Sequence, residues 1–267
     1  GADLGVALFM EALFPYLLPY LILSNWLIRL TANPLQSNSF LLYLKTYCIS
    51  AVGGFPTGAA TIAHLVKNGE LTGRQASYLL GICHSPSPLF LLGFVGLELA
   101  GSKTISWQYL ILLHSFSLLI LWLLSLFAKE RPKENVVFVK DPSPFTNSVK
   151  DSMPTVLIVA ATIIFFTTIY SVFLHSTDTI FQTIPMTVQL FIASVLEMTN
   201  GLFLIHQQVT GPTLAMLTVI LLTTQSLSIH LQVIVIARSA QIAIRPYIWI
   251  RALYCIAIPA LFYLLFL

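Results

Sequence analysis

Charge is what this sequence has least of. Lysine and arginine number 13 and aspartate and glutamate 10, so charged residues make up 9% of 267 while hydrophobic ones make up 57%. A soluble domain carries about 25% charged residues. No soluble fold of this size covers so much apolar surface with so few charges. The class that fits is an all-α integral membrane protein, and the length allows roughly eight spans of about 20 residues. Cysteine is scarce too. Cys48, Cys83 and Cys255 lie in apolar context without metal-ligand spacing, so they read as small hydrophobes and no metal or cofactor is expected. A net charge of +3, spread over loops, argues against nucleic acid and is accounted for by a basic cytoplasmic face. No Gly-x-Ser-x-Gly, His-Glu-x-x-His or Walker pattern is present. An ATP-driven pump would need a soluble domain. No enzyme is expected.

What is there is a succession of apolar stretches with polar interruptions. The first, about 6–30, contains Pro15 and Pro19, which are expected to kink or break it. It lacks the basic start of a cleavable signal and runs on at full span length, and the opening Gly1-Ala2-Asp3 without Met leaves room for residues upstream. A polar loop over 31–39 follows. The second stretch, about 40–66, is interrupted by Gly53-Gly54-Phe55-Pro56-Thr57-Gly58, where four helix breakers in six end any continuous helix. The third, about 75–100, is broken by Cys83-His84-Ser85-Pro86-Ser87-Pro88, and the fourth, 105–128, has no formal charge. Residues 129–151 are expected to form a charged cytoplasmic linker, with Lys129, Arg131, Lys133, Lys140 and Lys150. Spans then fall near 154–174, 185–206, 212–236 and 247–267. From Thr179 to Ala237 the only charge is Glu197, followed by Thr199 and Asn200, and a second polar patch runs from Thr223 to Gln232.

The two halves overlay at an offset of about 172, which lays Gly53–Gly58 on Gln225–His230. Eight segments then divide into three, two linking and three. If each crosses once, equivalent segments five apart make the repeats inverted, as in transporters whose discontinuous helices meet at the midplane. Broken backbone inside lipid survives only where protein or a water-filled cavity covers it. Matching breaks therefore point to a shared site, with Gly53, Gly54 and Gly58 letting backbone N–H groups approach an anionic group. The alternative is close helix packing through small residues. Glu197 is costly in mid-span if charged. It is a candidate for a coupling H⁺ or Na⁺ or for substrate contact, against the alternative of a protonated carboxyl bonding a neighbouring helix. His84, Ser85 and Ser87, with Gln225, Ser226, Ser228, His230 and Gln232, offer further donors. Arg238, Arg245 and Arg251 read as interfacial anchors, with an inward Arg251 facing an anion as the alternative.

These residues resemble a known family. Phe14-Pro15-Tyr16-Leu17-Leu18-Pro19-Tyr20 and Gly54-Phe55-Pro56-Thr57-Gly58-Ala59 are similar to motifs of the sporulation integral membrane proteins of YlbJ type. So are Ser87-Pro88-Leu89-Phe90, Glu197-Met198-Thr199-Asn200-Gly201, Leu227 to Val233, Arg245-Pro246-Tyr247 and Arg251. The chain departs at Cys83-His84-Ser85-Pro86, where a Thr-Asn type pair is expected, at Tyr78 in place of an Arg, and in the short connection over 31–39. The resemblance implies two Gate-like repeats, over 1–128 and 152–267, and a distant likeness to concentrative nucleoside transporters. It implies export of dipicolinate, a small aromatic dianion, across the mother-cell-derived outer forespore membrane. A spore-envelope scaffold and a nucleoside carrier are the other readings, and self-association into a homo-oligomer is compatible with each.

Overall fold

The computed structural model describes residues 1–31, 39–127, 141–181 and 184–267. The polar loop expected over 31–39 and most of the linker expected over 129–151 lie outside the described residues. Helix α1 (Ala2–Ala7) leads through a π-helical turn (Leu8–Leu13) into α2 (Phe14–Leu30). The helix continues past both prolines. Pro15 falls in the first turn of α2, where a missing N–H costs little. Helices α3 (Ser39–Gly53) and α4 (Thr57–Lys67) follow, and then α5 (Gly73–Ile82), which starts on a capping box between Thr72 and Gln75. A second π-helical segment (Phe90–Leu99) and α6 (Thr104–Phe127) complete the first half. The second half contains α7 (Pro144–Phe181), α8 (Met186–Leu196), α9 (Met198–Gln208), α10 (Gly211–Thr224), α11 (Leu227–Ser239) and α12 (Arg245–Phe266). Among the described residues there is no strand.

Among the described residues, four helical stretches are long and apolar enough to cross a membrane: Thr104–Leu126, Pro144–Thr177, Gly211–Ser239 and Arg245–Phe266. Their outer faces are apolar. Trp249, Ile256 and Leu264 are each about three-quarters exposed, at 76%, 74% and 75%. An apolar surface of this extent calls for lipid, and the chain is an α-helical membrane protein by composition and by structure.

Two pairs of short helices fold back on themselves. At α3–α4 the reversal runs through Gly53–Pro56. Gly54 has φ +70°, and a Cβ on Gly58 would lie 3.2 Å from the Ser50 Cβ. Such an approach between residues eight apart is impossible along one straight helix. At α8–α9 the whole reversal is Glu197, in extended conformation, and a Cβ on Gly201 would meet the Ser194 Cα at 2.6 Å. The stretch expected as one span over 185–206 is therefore two helices. Each has 11 residues, a length of about 16 Å. That is roughly half the ~30 Å hydrocarbon core.

Two apolar clusters define the layering. One holds Ile28, Leu65, Leu79, Leu80, Ile82, Val233, Ile236 and Tyr247. The other holds Leu91, Val95, Met198, Leu222, Ile229, Tyr254 and Phe262. The chain from α5 into the second π segment passes from the first cluster to the second. The chain from α10 into α11 passes from the second to the first. Both are interrupted between the clusters, at Cys83–Pro88 and at Gln225–Ser226. On the outer side of the first cluster Arg29 pairs with Asp141 and Asp151, tying the end of α2 to the start of α7. The Ser143 amide, Arg29 and Asn147 hold the Asp141 carboxyl below its ordinary range. Further along, Asn25 bonds Ser152 at 3.0 Å, and Gly5 sits against the Ile164 backbone.

Candidate functional site: a buried polar layer at the helix breaks

The layer between the clusters is where the polar residues collect. Helix α5 stops because Pro86 and Pro88 deny it donors and push the preceding residues out of helical conformation. The chain then restarts, with the Ser87 hydroxyl accepting from the Phe90 amide at 3.2 Å. Helix α10 stops at Gln225, whose φ of +60° with ψ 175° lies in a region that only glycine occupies readily. Such a conformation costs about 1–3 kcal/mol and persists only where the surroundings enforce it. Beyond it Ser226 bonds Ser228 at 2.8 Å, in the first turn of α11.

The tip of α3–α4 closes onto the first break. A Cβ on Gly54 would lie 2.5 Å from the Ser87 amide nitrogen, and one on Gly58 would lie 2.0 Å from the Cys83 carbonyl. Phe55 brings its ring to 5.6 Å from that of His84. His84 in turn lies 6.2 Å from His230 across the two breaks, with Tyr247 packed edge-on against both. The His230 ring is fully engaged. Its Nε2 faces the Thr224 carbonyl at 2.9 Å, which makes that nitrogen a donor, and Nδ1 meets the Tyr247 hydroxyl at 2.6 Å.

At the centre is Arg251, 4% exposed. It donates to the His84 carbonyl at 3.2 Å and to the Thr223 carbonyl, and so caps the C-terminal ends of α5 and α10 together. Each end carries unpaired carbonyls and the negative pole of its helix, and a guanidinium answers both. Its face lies 5.2 Å from the Tyr254 ring. Among the described residues no carboxylate pairs with it. The expectation that Arg251 anchors at the membrane surface is corrected: it is buried at the breaks. The misleading signal was its nearness to Arg245. A better one was its spacing of four from Tyr247, which puts both on one helical face. Tyr247 was legible only as part of the Arg245-Pro246-Tyr247 motif and not as a site residue.

Several buried polar atoms in this layer have no hydrogen-bond partner among the described residues. They are His84 Nε2, Ser85 Oγ, both terminal atoms of the Gln225 amide, and Arg251 Nε. The His84 and Gln225 side chains adjoin, yet no well-aligned bond joins them. Unpaired buried polar atoms each cost about 1–3 kcal/mol, so each of the five calls for a partner, such as a water or a polar ligand.

The remaining sequence candidates divide. Thr57 bonds the Gly53 carbonyl at 3.3 Å within the α3–α4 turn, beside Pro56. Gln232 points elsewhere, donating to Thr162 of α7 at 2.9 Å. Glu197 accepts from the Asn200 amide at 2.8 Å, as the N-cap of α9. Asn200 Nδ2 is buried without a partner, and Thr199 is buried beside it. Among the described residues no hydrogen bond or ring contact connects Glu197, Thr199 or Asn200 to His84, Gln225 or His230. Met198 belongs to the same apolar cluster as Leu91 and Ile229, which flank the breaks. No three His, Cys, Asp or Glu side chains gather as a metal site would require, among the described residues. Neither a family model, nor a curated protein, nor a solved structure matches the chain.

Proposed function

We propose that this chain is a secondary carrier of a small organic anion, working by alternating access about the polar layer at the helix breaks. The observation that carries the reading is Arg251. It is a buried guanidinium with no carboxylate partner among the described residues, bonded to carbonyls at the two breaks, where His84, Ser85 and Gln225 carry unpartnered polar atoms. Its charge is met by carbonyl dipoles and not by a full negative charge among the described residues, and an anionic ligand would supply one. The N-terminal ends of the chain beyond each break, at Ser87 and at Ser226, add positive helix poles. The resemblance to YlbJ-type proteins nominates dipicolinate as the anion and the outer forespore membrane as the location.

The same reading assigns the chain two inverted repeats with six crossings and two re-entrant hairpins. Each repeat comprises a crossing helix, a hairpin, a broken helix and a final helix. The hairpins return to the side they came from, which leaves three crossings per repeat, an odd number. An offset of 141 pairs Pro56 with Glu197, Ser85 with Ser226 and Ser87 with Ser228. That offset supports the repeat better than one of 172, which lays a hairpin tip on a helix break. It also gathers Arg29, Lys45, Lys67, Arg74, Arg238 and Arg245 on one side, as the cytoplasmic face of a membrane protein requires.

The test is uptake of labelled dipicolinate into proteoliposomes containing the purified chain. Uptake well above that of protein-free vesicles, suppressed by unlabelled dipicolinate and not by uridine, is the expected result. Uptake equal to that of protein-free vesicles, together with no thermal stabilisation by dipicolinate or simple carboxylates, would defeat the proposal.

A further inference from the structure

A buried anion must be neutralised, and the charges available near the breaks can be counted. From α12 come Arg251 and Tyr247, from α11 His230, and from the first break His84 with its neighbour Cys83. The α3–α4 tip contributes the neutral ring of Phe55. Arg251 is the only fixed positive charge in this set. A ligand with two carboxylates therefore brings one negative charge more than the protein answers. An uncompensated charge in a water-poor interior is costly, and the side chains in this set that can gain a second positive charge are the two histidines.

The two histidines are not equivalent. His230 has both ring nitrogens occupied, one on the Thr224 carbonyl and one on the Tyr247 hydroxyl. His84 is 2% exposed and its Nε2 has no partner. The Gln225 side chain, its amide atoms unpartnered, adjoins His84, and the hydroxyl of the next residue, Ser85, is unpartnered as well. Glu197 is committed to the N-terminus of α9.

We infer that His84 takes up a proton as the anion binds, so that dianion and proton occupy the site together. The inference rests on the anion-carrier reading above and deepens it: the proton-coupling group is the imidazole at the first break, not the Glu197 carboxyl. With Nε2 protonated, His84 donates to the ligand while Arg251 supplies the other positive charge. No covalent bond forms or breaks. The proton comes from the aqueous side that delivers the anion and leaves with it.

The experiment is titration calorimetry of the full chain in lipid nanodiscs with dipicolinate, which is fully ionised at neutral pH. Two buffers of different ionisation enthalpy report the protons taken up per anion. Wild type is expected to take up about one proton. His84→Gln is expected to bind roughly tenfold more weakly, the loss of one charge-assisted bond, and to take up none. Binding without proton uptake in wild type, or undiminished uptake in His84→Gln, overturns the inference and leaves the carrier reading intact. Absence of binding in folded wild type overturns both. If neither His84→Gln nor His84→Asn folds, His230→Gln decides. Retained uptake supports His84, and lost uptake overturns it.

Discussion

At the scale of single residues, the site turns on the difference between arginine and lysine. Arg251 reaches two carbonyls from different helices because its guanidinium is a rigid fork, whereas an ammonium is a point charge on a flexible stem. Arg251→Lys keeps the charge and gives up one of the two carbonyls. The expected cost is about 1.5–3 kcal/mol, that of one hydrogen bond to a charged group, seen as earlier unfolding in a denaturant titration of the detergent-solubilised chain. An unchanged midpoint would show that the bridge between α5 and α10 contributes nothing. The same residue shows what sequence can and cannot reveal. Glu197 was conspicuous because nothing charged surrounds it for dozens of residues. Arg251 follows Arg245 near a span end, so its depth became visible only once Pro246 and Tyr247 were placed at the first turn of α12 and the breaks were brought up against it. Gln225 was legible as polar but not as strained, because strain belongs to a backbone angle that composition does not encode.

Among the elements, the breaks at Gly53–Gly58, Cys83–Pro88 and Gln225–Ser226 were legible for a simple reason. Glycines, prolines and hydroxyl residues crowd into apolar runs that have no other use for them. The reversal at Glu197 was not, since Leu196 and Met198 on either side are ordinary helix formers and only a close approach further along permits the fold-back. That approach is made by glycine. At Gly58 and at Gly201 an added methyl would meet backbone atoms at 2.0 Å and 2.6 Å, with no flexible side chain to yield, while at Gly93 the nearest atom is the Leu89 Cδ1 at 4.0 Å. Gly58→Ala and Gly201→Ala are therefore expected to lower the thermal midpoint strongly, by several kcal/mol equivalent, because at Gly58 the hairpin must back away from the Cys83 carbonyl and at Gly201 helices α8 and α9 must separate. Gly93→Ala should stay within about 1 kcal/mol of wild type. If all three variants melted alike, the two hairpins would not depend on close backbone contact. The prolines of the first helix teach the converse. Pro15 and Pro19 look like breaks in sequence, yet one lies in a first turn and the helix runs on, because a backbone in hydrocarbon has no partner better than its own next turn.

The arrangement of the whole molecule follows from how many of these elements cross the bilayer. Helices α5 and α10 approach the polar layer from opposite apolar clusters, and α4 and α9 are too short to traverse a membrane alone. If both hairpins are re-entrant, the chain has crossed twice when it reaches Gly101–Lys103 and five times when it reaches Gln241–Ala243. Those two loops then lie on opposite faces. If instead every segment crossed once, the hairpins would add one crossing before the first loop and two before the second. The loops would then share a face, so a single accessibility measurement separates the two topologies. Single cysteines at Ser102 and at Ala243, both exposed, can be placed in a chain whose Cys48, Cys83 and Cys255 are replaced by alanine. A membrane-impermeant maleimide applied to intact cells is expected to label Ser102→Cys and to leave Ala243→Cys unmodified until the membrane is permeabilised. The direction follows from the charge distribution, since the second loop is flanked by Arg238 and Arg245 and basic loops stay in the cytoplasm. Equal labelling of the two positions before permeabilisation would remove the inverted repeat. With it would go the symmetry on which the proposed alternating access rests.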